Sequence, residues 1–258
     1  FAEDLFRALA KVYVFFNYSG NIVEIDGVRR KNRLNDMNFQ VTGFNQVKPA
    51  GFVIDVEQHL DTGIYMSDES GNPVFVRDSM YRGHAENALT SEAARCLLPH
   101  INGISEISLP YFVGNELRFT PPGYDQDTGY WTDTNAPEVS TMPVSQAKEI
   151  LTGLFSEFCF LEPELDIARA VAYILTPMLR VLVGENRAMM FFASGNRPGV
   201  GKDYLLGLAP LIVSGREPGF YAPCCDDDEY RKQIFSICAS GERFFLNSIL
   251  IGHLASPA

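Results

Sequence analysis

Hydrophobic spacing in the first 140 residues alternates between the period of a helix and the period of a strand. Leu5, Phe6, Leu9 and Ala10 recur at helical spacing, which predicts a short amphipathic helix over residues 1–11. Further along, pairs of apolar segments flank turn-forming residues, a pattern that is typical of β-hairpins. The predicted hairpins join residues 12–17 to 22–25 and residues 64–66 to 74–76.

The rest of this region combines a further strand, a further helix and a stretch rich in turns. An apolar run at residues 51–56 predicts a strand. Asp55 and Glu57 are two residues apart, so on a strand they would share a face, as either an acidic pair or part of an exposed surface. Residues 91–98 predict a short helix, and residues 104–142 are rich in proline, glycine and aromatic side chains. We therefore predict an α+β region with β-hairpins over residues 1–140.

Helical periodicity dominates the second part of the chain, residues 141–258. Helical segments there are separated by short apolar runs of the kind that form buried strands. The predicted helices cover residues 145–158, 163–183 and 204–213 and the segment after the acidic run at 226–229, and the predicted strands cover residues 189–193 and 243–247. Gly215 ends the third helix. Strands that alternate with helices predict an α/β core, preceded here by a helical lead-in.

The segment between the first of these strands and the third helix has the composition of a phosphate-binding loop. Glycines let backbone N–H groups surround phosphate oxygens, a lysine reaches the β- and γ-phosphates, and the helix N-terminus adds partial positive charge. Lys202 is the predicted catalytic lysine, and an ordinary turn between strand and helix is the structural alternative. The predicted nucleotide-binding residues are Asn196, Arg197, Pro198, Gly199, Val200, Gly201, Lys202, Asp203 and Tyr204.

Two positions depart from the pattern G-x-x-x-x-G-K-S/T of such loops. Asn196 stands at the first glycine, a mild change because asparagine tolerates left-handed backbone conformations. Asp203 stands where a hydroxyl normally binds Mg²⁺, and a carboxylate can bind this metal directly or through water. Its charge would repel a phosphate about 5 Å away by about 3 kcal/mol unless the metal offsets it. We therefore expect nucleotide binding that either depends on Mg²⁺, with Asp203 as metal ligand, or is weakened.

A phosphate-loop ATPase also needs an acidic residue at the end of a neighbouring strand, where it holds the Mg²⁺ shell. The candidate strand here ends in Asn247-Ser248. Asparagine can hydrogen-bond a metal-bound water, but it supplies neither negative charge nor a general base at neutral pH. Asn247 is therefore the second predicted catalytic position, and its identity places hydrolysis in doubt more than binding.

Composition and charge limit the classes of protein to which this chain can belong. The chain has 258 residues, a net charge of −11 and no apolar run near the roughly 20 residues that span a bilayer. Such acidity argues against a strongly basic nucleic-acid coat. The dense basic run at residues 29–33 is either a solvated loop or a phosphate-contacting one. The five cysteines lack metal-ligand spacing, which favours reduced thiols in a cytoplasmic protein without membrane association.

Three segments, in this order, resemble phage and mobile-element primase-helicase proteins, whose ATPase domain is of the superfamily 3 or AAA+ type and related to pox-virus-type helicases. Residues 121–131 are similar to a GYD-x-x-TG-aromatic element that precedes the helicase domain. The second segment runs from a helix pair into residues 195–203. It is similar to the part of the family that contains the phosphate loop, in which a prophage branch has Lys-Asp in place of Lys-Ser/Thr. Residues 229–232 and then 245–254 look like its second strand, which usually ends in Asp-Asn.

The resemblance covers residues 105–258 well and the first 100 residues weakly. It implies an AAA+-like P-loop core that is incomplete at the C-terminus, with the sensor and arginine finger beyond the chain end. It also implies ATP and Mg²⁺ as cofactors, single-stranded DNA as partner, a homo-oligomeric ring and a bacterial host's cytoplasm. Residues 1–140 would then be an accessory or linker region, and residues 141–258 the lead-in and first half of the ATPase core.

Three functions fit these observations. The first is an ATP-driven, helicase-like module of a DNA replication protein. The second is a non-catalytic nucleotide-binding module that stabilises an oligomer, which Asn247 favours. The third is a P-loop kinase-like enzyme for a small molecule, which would need an arginine-bearing lid further along the chain. ATP turnover separates the first from the second, and oligomerisation on DNA separates the first from the third.

Overall fold

The computed structural model describes residues 2–31, 38–184, 188–197, 199–222, 226–239 and 244–247. The chain divides into two compact units, the first made of Phe1–Gly27 and Thr42–Gly103 and the second of Val28–Val41 and Ile104–Ala258. The helices are α1 Ala2–Leu9, α2 Pro49–His59, α3 Arg82–Thr90, α4 Glu92–Arg95, α5 Val144–Gly153, α6 Pro163–Met178, α7 Arg180–Val183, α8 Lys202–Ser214 and α9 Asp227–Ala239. The strands are β1 Phe15–Tyr18, β2 Asn21–Lys31, β3 Asn38–Gln46, β4 Gly63–Ser67, β5 Pro73–Arg77, β6 Gly103–Ser105, β7 Pro110–Val113, β8 Glu116–Phe119, β9 Gly123–Tyr124, β10 Tyr130–Thr132, β11 Phe220–Tyr221 and β12 Leu246–Asn247.

The core of the first unit joins α1 and α2 to β1 and the start of β2, which contribute the buried Phe15 and Ile22. Both predicted elements at the start of the chain are confirmed: α1 buries its apolar face, and β1 pairs with β2 in an antiparallel hairpin. Ser19 and Gly20 form the turn with φ of 48° and 82°, so both lie in the left-handed region that tight hairpins require. The Phe52 ring of α2 packs against Phe6 and Phe15, with ring centroids 5.9 and 5.2 Å apart.

Residues 51–56 lie inside α2, so the prediction of a strand there is wrong. Pro49 occupies the first turn of the helix, where its missing N–H costs nothing. Phe52 and Val56, four residues apart, are both fully buried on one face of α2. A short apolar run cannot by itself distinguish a strand from a buried helix, and here the packing of Phe52 and Val56 decides.

Asp55 and Glu57 therefore do not share a face, because residues two apart point about 200° away from each other around a helix. The Glu57 carboxylate accepts hydrogen bonds from Ser79 Oγ at 2.5 Å and from Met80 N at 2.8 Å. These bonds lower the pKa of Glu57 below its ordinary value. Its contacts hold the segment before α3 and form no acidic pair with Asp55.

The remaining elements of the first unit are a hairpin and two short helices. The second predicted hairpin is confirmed, with β4 and β5 antiparallel and Gly63 opposite Arg77. The predicted helix at residues 91–98 is shorter than expected, since α4 covers only Glu92–Arg95. Ser91 caps it by accepting a hydrogen bond from Ala94 N at 3.3 Å. Helix α3, which precedes it, was not predicted.

Residues 121–131, one basis of the family resemblance, form a turn that their own side chains close. Asp125 is buried and accepts a hydrogen bond from Thr128 Oγ1 at 2.6 Å, and its N–H donates to Tyr130 O at 2.9 Å. Gly129 has a φ of 68°, which only glycine adopts without strain. Strands β9 and β10 pair on either side, with Trp131 opposite Tyr124. In this chain, therefore, the element is explained by local structure alone.

The second unit contains a helical core built by α6 and α8 with the segment that follows α5. The predicted helices at residues 163–183 and 204–213 are confirmed, with α6 and α7 sharing the first of them, and the helix predicted at 145–158 is shorter than expected, since α5 ends at Gly153. Gly215 ends α8 in a left-handed conformation with a φ of 65°, as predicted. Within the described residues, no helix combines the length and apolar character needed to cross a membrane.

A β-α-β unit lies near the end of the described chain. Strands β11 and β12 pair in parallel, with Phe220 opposite Leu246, and α9 connects them. Parallel strands need such a crossover, which is typical of α/β folds. The predicted helix after the acidic run is confirmed as α9. The predicted strand at residues 243–247 is confirmed in shortened form as β12, in which Leu246 is buried.

Candidate phosphate-binding site

The loop before α8 contains two glycines in left-handed conformations. Gly199 has a φ of 75°, and Gly201, at the N-cap of α8, has a φ of 86° and a ψ of 16°. Other residues are strained at such values, so the glycine composition of the loop has a conformational reason. A left-handed residue next to a right-handed one turns successive N–H groups towards a common side, which forms a concavity for anions. Pro198 lies outside the described residues.

The loop folds back so that its two ends meet at Gly195. A Cβ added at Gly195 would lie 2.4 Å from Val200 Cγ2, and 3.5 Å from Lys202 Cδ. The Lys202 stem therefore runs across the backbone of Gly195, in the space that a larger residue would fill. The described residues on either side of Pro198 thus close the loop, with Val200 and the Lys202 side chain against Gly195.

The first N–H groups of α8 have no acceptor within the helix. The first hydrogen bond of the helix runs from Leu205 N to Gly201 O at 2.9 Å, so the three preceding N–H groups have no intrahelical acceptor. Gly201 at the N-cap has no side chain that could cap them. Because α8 is a helix of 13 residues, its dipole adds partial positive charge at this end. The site is suited to phosphate or another anion.

The side chains of the loop differ in exposure. Lys202 is half-buried, whereas Asn196, Arg197, Asp203 and Tyr204 are exposed. The loop thus contains two cations and one carboxylate within seven residues. They lie at the N-terminus of a helix, where the helix dipole favours anions. Within the described residues, no cluster of three His, Cys, Asp or Glu could hold a metal ion. Asp203 alone still matches Mg²⁺, which often takes one or two carboxylates and fills its shell with water and phosphate oxygens.

Tyr173 of α6 fixes the position of α8 through an acceptor that a proline leaves free. Pro210 lies inside α8 and has no N–H, so the carbonyl four residues earlier, that of Leu206, has no helical donor. The Tyr173 hydroxyl donates its hydrogen bond to this Leu206 O. Burial raises the pKa of Tyr173 to about 12. The phenol therefore stays protonated, and it replaces the missing donor of the helix.

Tyr173 also holds the segment that enters the loop. Its ring lies 5.2 Å from the Phe191 ring, measured between centroids. Tyr173 thus contacts the chain on both sides of the loop that precedes α8, before it through Phe191 and after it through Leu206. Residue spacing gave no signal for this role, although Pro210 inside a predicted helix does indicate a carbonyl that needs a donor.

The prediction of a strand at residues 189–193 is wrong, since the described residues 188–195 form no hydrogen-bonded strand. Met190 and Phe192 are 77% and 69% exposed, whereas Phe191 and Ala193 are half-buried. The run keeps the period-two alternation of an extended chain. One face of this described run is covered, by the Tyr173 ring among others, and the other face is exposed. A central strand would be buried on both faces.

Replacement of Tyr173 with phenylalanine is expected to lower the free energy of unfolding by about 1–2 kcal/mol, because Leu206 O loses its donor. The raised pKa also predicts a pH effect. The phenol contributes stability below its unfolded pKa of about 10, and this contribution is lost as pH rises towards about 12. Urea unfolding at pH 7 and pH 11 checks both effects. The wild type should lose more stability between these pH values than Tyr173→Phe, and equal losses would contradict the assignment.

The second predicted catalytic position, Asn247, is the last residue of β12 and lies opposite Tyr221 in the parallel register. The Phe245 ring, two residues earlier, contacts the rings of Tyr221 at 5.3 Å and Tyr230 at 5.9 Å. Aromatic packing thus orients the end of β12 against β11 and α9. The residues of the loop before α8 thus lie together in one site. Asn247 lies instead on the separate two-stranded sheet of β11 and β12. Ser248 lies outside the described residues.

Comparisons with known proteins give no relative for this chain. No family model matches it, and neither a curated protein nor a solved structure matches it.

Proposed function

We propose that this chain is an ATP-binding, helicase-like module of a phage or mobile-element DNA replication protein. The observation that carries the proposal is the closed loop from Gly195 to Lys202 at the uncapped N-terminus of α8. Backbone donors, a helix dipole and a lysine stem are directed to one small region, which is the arrangement that phosphate recognition needs. An ordinary turn needs none of the three.

Each residue of the loop has a distinct role in this proposal. The N–H groups around Gly199 and Gly201 would surround phosphate oxygens, and the Lys202 ammonium would contact the β- and γ-phosphates. Arg197 would add a second cation at the exposed rim. Asp203 would bind Mg²⁺, directly or through water, and the metal would offset the repulsion between its carboxylate and the phosphates.

The wider function follows from the family resemblance. In the proposed module, ATP binds between the subunits of a homo-oligomeric ring in the bacterial host's cytoplasm, and its hydrolysis moves the ring along single-stranded DNA. An AAA+-like α/β core would extend from the helical lead-in through the β11-α9-β12 unit. The parallel pairing of β11 with β12 supports such a core, because this type of connection builds α/β sheets.

A second candidate function is favoured by the identity of Asn247. A non-catalytic module would bind ATP to stabilise an oligomer and would turn it over negligibly. Asparagine at the end of β12 fits this function, since it provides no carboxylate for the metal shell and no general base.

ATP turnover by the wild type and by Asn247→Asp distinguishes the two functions. A motor predicts phosphate release by the wild type that rises when single-stranded DNA is added. A binding module predicts nucleotide binding without phosphate release, and a gain of about 100-fold in turnover for Asn247→Asp, the lower range of a positioned acid–base group. Lys202→Ala serves as the inactive control in both cases. Failure of the wild type to bind Mg·ATP would contradict both functions.

A further inference from the structure

The hairpin of β4 and β5 exposes apolar side chains on both of its faces. All ten residues of the two strands are exposed, among them Tyr65 at 76%. Tyr65 and Phe75 share one face, where their ring centroids lie 5.4 Å apart. The other face carries Ile64, Met66, Val74 and Val76. Because a two-stranded hairpin alone is marginally stable in water, this one would gain stability from a further strand.

Contacts within the hairpin fix both of its ends. At the turn, the Asp68 carboxylate accepts hydrogen bonds from Ser70 N at 2.9 Å and from Asn72 N at 2.8 Å. At the base, Arg77 forms an ion pair with Asp61 at 2.9 Å. The two strands are therefore held in register before any partner binds, so association does not have to order them.

The hydrogen-bond register directs backbone groups of β4 outward. Asp78 N donates to Thr62 O at 3.0 Å, and Asp68 N donates to Asn72 O at 2.9 Å. Bonded pairs alternate with unbonded pairs along an antiparallel ladder, so the odd-numbered residues of β4 point their N–H and C=O groups away from β5. These residues are Gly63, Tyr65 and Ser67. Among the described residues, β5 is the only strand that pairs with β4.

The two edges of the hairpin differ in the residues that block pairing. Strand β5 begins at Pro73, which has no N–H, and ends at Arg77. Proline and charged side chains are what natural sheets use to keep an exposed edge from pairing. Strand β4 has neither between Gly63 and Ser67. The edge of β4 is thus open to an uncharged, extended strand.

Strand β4 is itself complementary to a second β4 in antiparallel orientation. Its outward residues are spaced symmetrically around Tyr65, so a two-fold axis there places Tyr65 opposite Tyr65, and Gly63 opposite Ser67, of the second copy. Each copy then donates three hydrogen bonds, six in all. Ile64 lies opposite Met66 of the second copy, so the pairs on this face are apolar, which stabilises a sheet.

Charge and size are compatible with a weak symmetric contact. The acidic turn of each copy approaches the base of the other, where the Asp61–Arg77 pair is neutral overall. The six apolar side chains are 41–76% exposed, which presents about 450 Å² per copy at about 100 Å² for an aliphatic and about 200 Å² for an aromatic side chain. Two copies offer about 900 Å², below the roughly 1,200 Å² of standard interfaces. We therefore expect a dissociation constant of about 10–100 µM.

We propose that β4 pairs edge to edge with β4 of a second copy, which joins two hairpins into one antiparallel sheet of four strands in the order β5-β4-β4-β5. The inference goes beyond the proposed function, because this contact needs neither ATP nor DNA. The contact is two-fold, whereas the subunits of a ring repeat head to tail. The dimer and the nucleotide site can therefore be tested independently of each other.

Sedimentation velocity of the full chain without nucleotide tests the dimer, from about 1 µM to about 300 µM, a range that includes the expected dissociation constant. Ser67→Pro should weaken the dimer at least about tenfold, because it removes two of the six hydrogen bonds. The hairpin itself should persist in this variant. The Ser67 N–H points away from β5, and Ser67 already lies opposite Pro73.

A pair of lysine substitutions tests the side chains. Tyr65→Lys places two like charges opposite each other at the two-fold axis, so it should also weaken the dimer at least about tenfold. Val74→Lys is the matched control, since it adds the same charge to an exposed position of β5, the outer strand of the proposed sheet. The control should keep the wild-type dissociation constant. Thermal unfolding shows that each variant is folded.

A cross-link tests the same register if these variants do not fold. The background is the chain with its five cysteines replaced by serine. In this background, Tyr65→Cys should form a disulfide between two copies under oxidising conditions. The Cα atoms of a hydrogen-bonded antiparallel pair lie about 5.5 Å apart, which suits a disulfide. Val76→Cys, on the outer strand, should stay monomeric on a non-reducing gel.

The proposal is overturned if the wild type stays monomeric throughout the titration, or if Ser67→Pro associates as strongly as the wild type. A greater loss in Val74→Lys than in Tyr65→Lys would also overturn it, because the contact would then lie on β5. ATP binding is measured separately on the same samples. If ATP does not bind but the dimer responds to these substitutions as expected, only the proposed function fails. If ATP binds and the chain is monomeric, only the hairpin contact fails.

Discussion

Replacement of Lys202 with alanine is expected to weaken Mg·ATP binding about 100-fold or more. The structure holds the Lys202 stem across Gly195 at the start of the loop, where an ammonium group can reach phosphates bound by the helix N-terminus. Two hydrogen bonds to charged groups contribute about 1.5 kcal/mol each at the lower limit, and every 1.4 kcal/mol changes the dissociation constant tenfold. Isothermal titration calorimetry of the two proteins measures the ratio directly.

Lys232→Ala is the control for this loss. Lys232 is an exposed lysine of α9 that pairs with Glu229 at 2.7 Å, so its removal changes the net charge equally without altering the loop. The control should bind Mg·ATP as the wild type does. Equal affinities of Lys202→Ala and the wild type would contradict the assignment of Lys202, and an equal loss in both variants would reduce the effect to net charge.

Replacement of Gly195 with alanine is expected to weaken Mg·ATP binding at least about tenfold. The added Cβ would lie 2.4 Å from Val200 Cγ2, closer than carbon atoms can approach, so Val200 and the Lys202 stem must move away. Overpacking of this kind costs about 1–3 kcal/mol, and most of that cost would fall on the closed form of the loop. The measurement is again calorimetric, with thermal unfolding to show that the fold persists.

A second substitution tests whether the clash itself causes that loss. Val200→Ala removes Cγ2, so the double variant Gly195→Ala/Val200→Ala should regain most of the affinity that Gly195→Ala loses. Val200→Ala alone should bind nearly as well as the wild type, because the proposed site assigns phosphate contact to backbone N–H groups and Lys202 and not to the 38% exposed Val200 side chain. If the double variant binds as poorly as Gly195→Ala, closure of the loop over Gly195 is not what the site requires.

Local signals predicted much of the fold where the residue type itself limits the backbone. Gly215 stops α8 because a left-handed residue there satisfies its last carbonyls, and Ser19-Gly20 turns the first hairpin for the same conformational reason. The acidic residues that open α9 match the dipole of its first turn. At these positions the deciding interactions join residues one to four apart in sequence, a separation that a sequence pattern includes.

The errors arose where tertiary packing overrides local preference. Residues 51–56 have the composition of a strand, yet the burial of Phe52 and Val56 four residues apart requires a helix. Residues 189–193 have the pattern of a central strand, but the described chain gives them no ladder partner and covers one face only. In both cases the deciding contacts come from residues distant in sequence, which periodicity does not include.

In the candidate site, too, the local features could be predicted from the sequence and the long-range contacts could not. The glycines, Lys202 and Asp203 could be selected from the sequence because phosphate binding limits which residues occupy such a loop. The closure over Gly195 and the support from Tyr173 could not, because they depend on how α6 and α8 pack together. Tyr173 and Leu206 are 33 residues apart, and only the fold brings them together.

The most direct test of the phosphate site is a titration of the unmutated chain with ATP, ADP and AMP in the presence of Mg²⁺. Because the loop and Lys202 are assigned to the β- and γ-phosphates, affinity should fall from ATP to ADP and be lost at least about 100-fold for AMP, which lacks both groups. Equal affinity for all three nucleotides would place recognition on the nucleoside, and binding of none would leave the loop as an ordinary turn. Either result would contradict the phosphate-binding function.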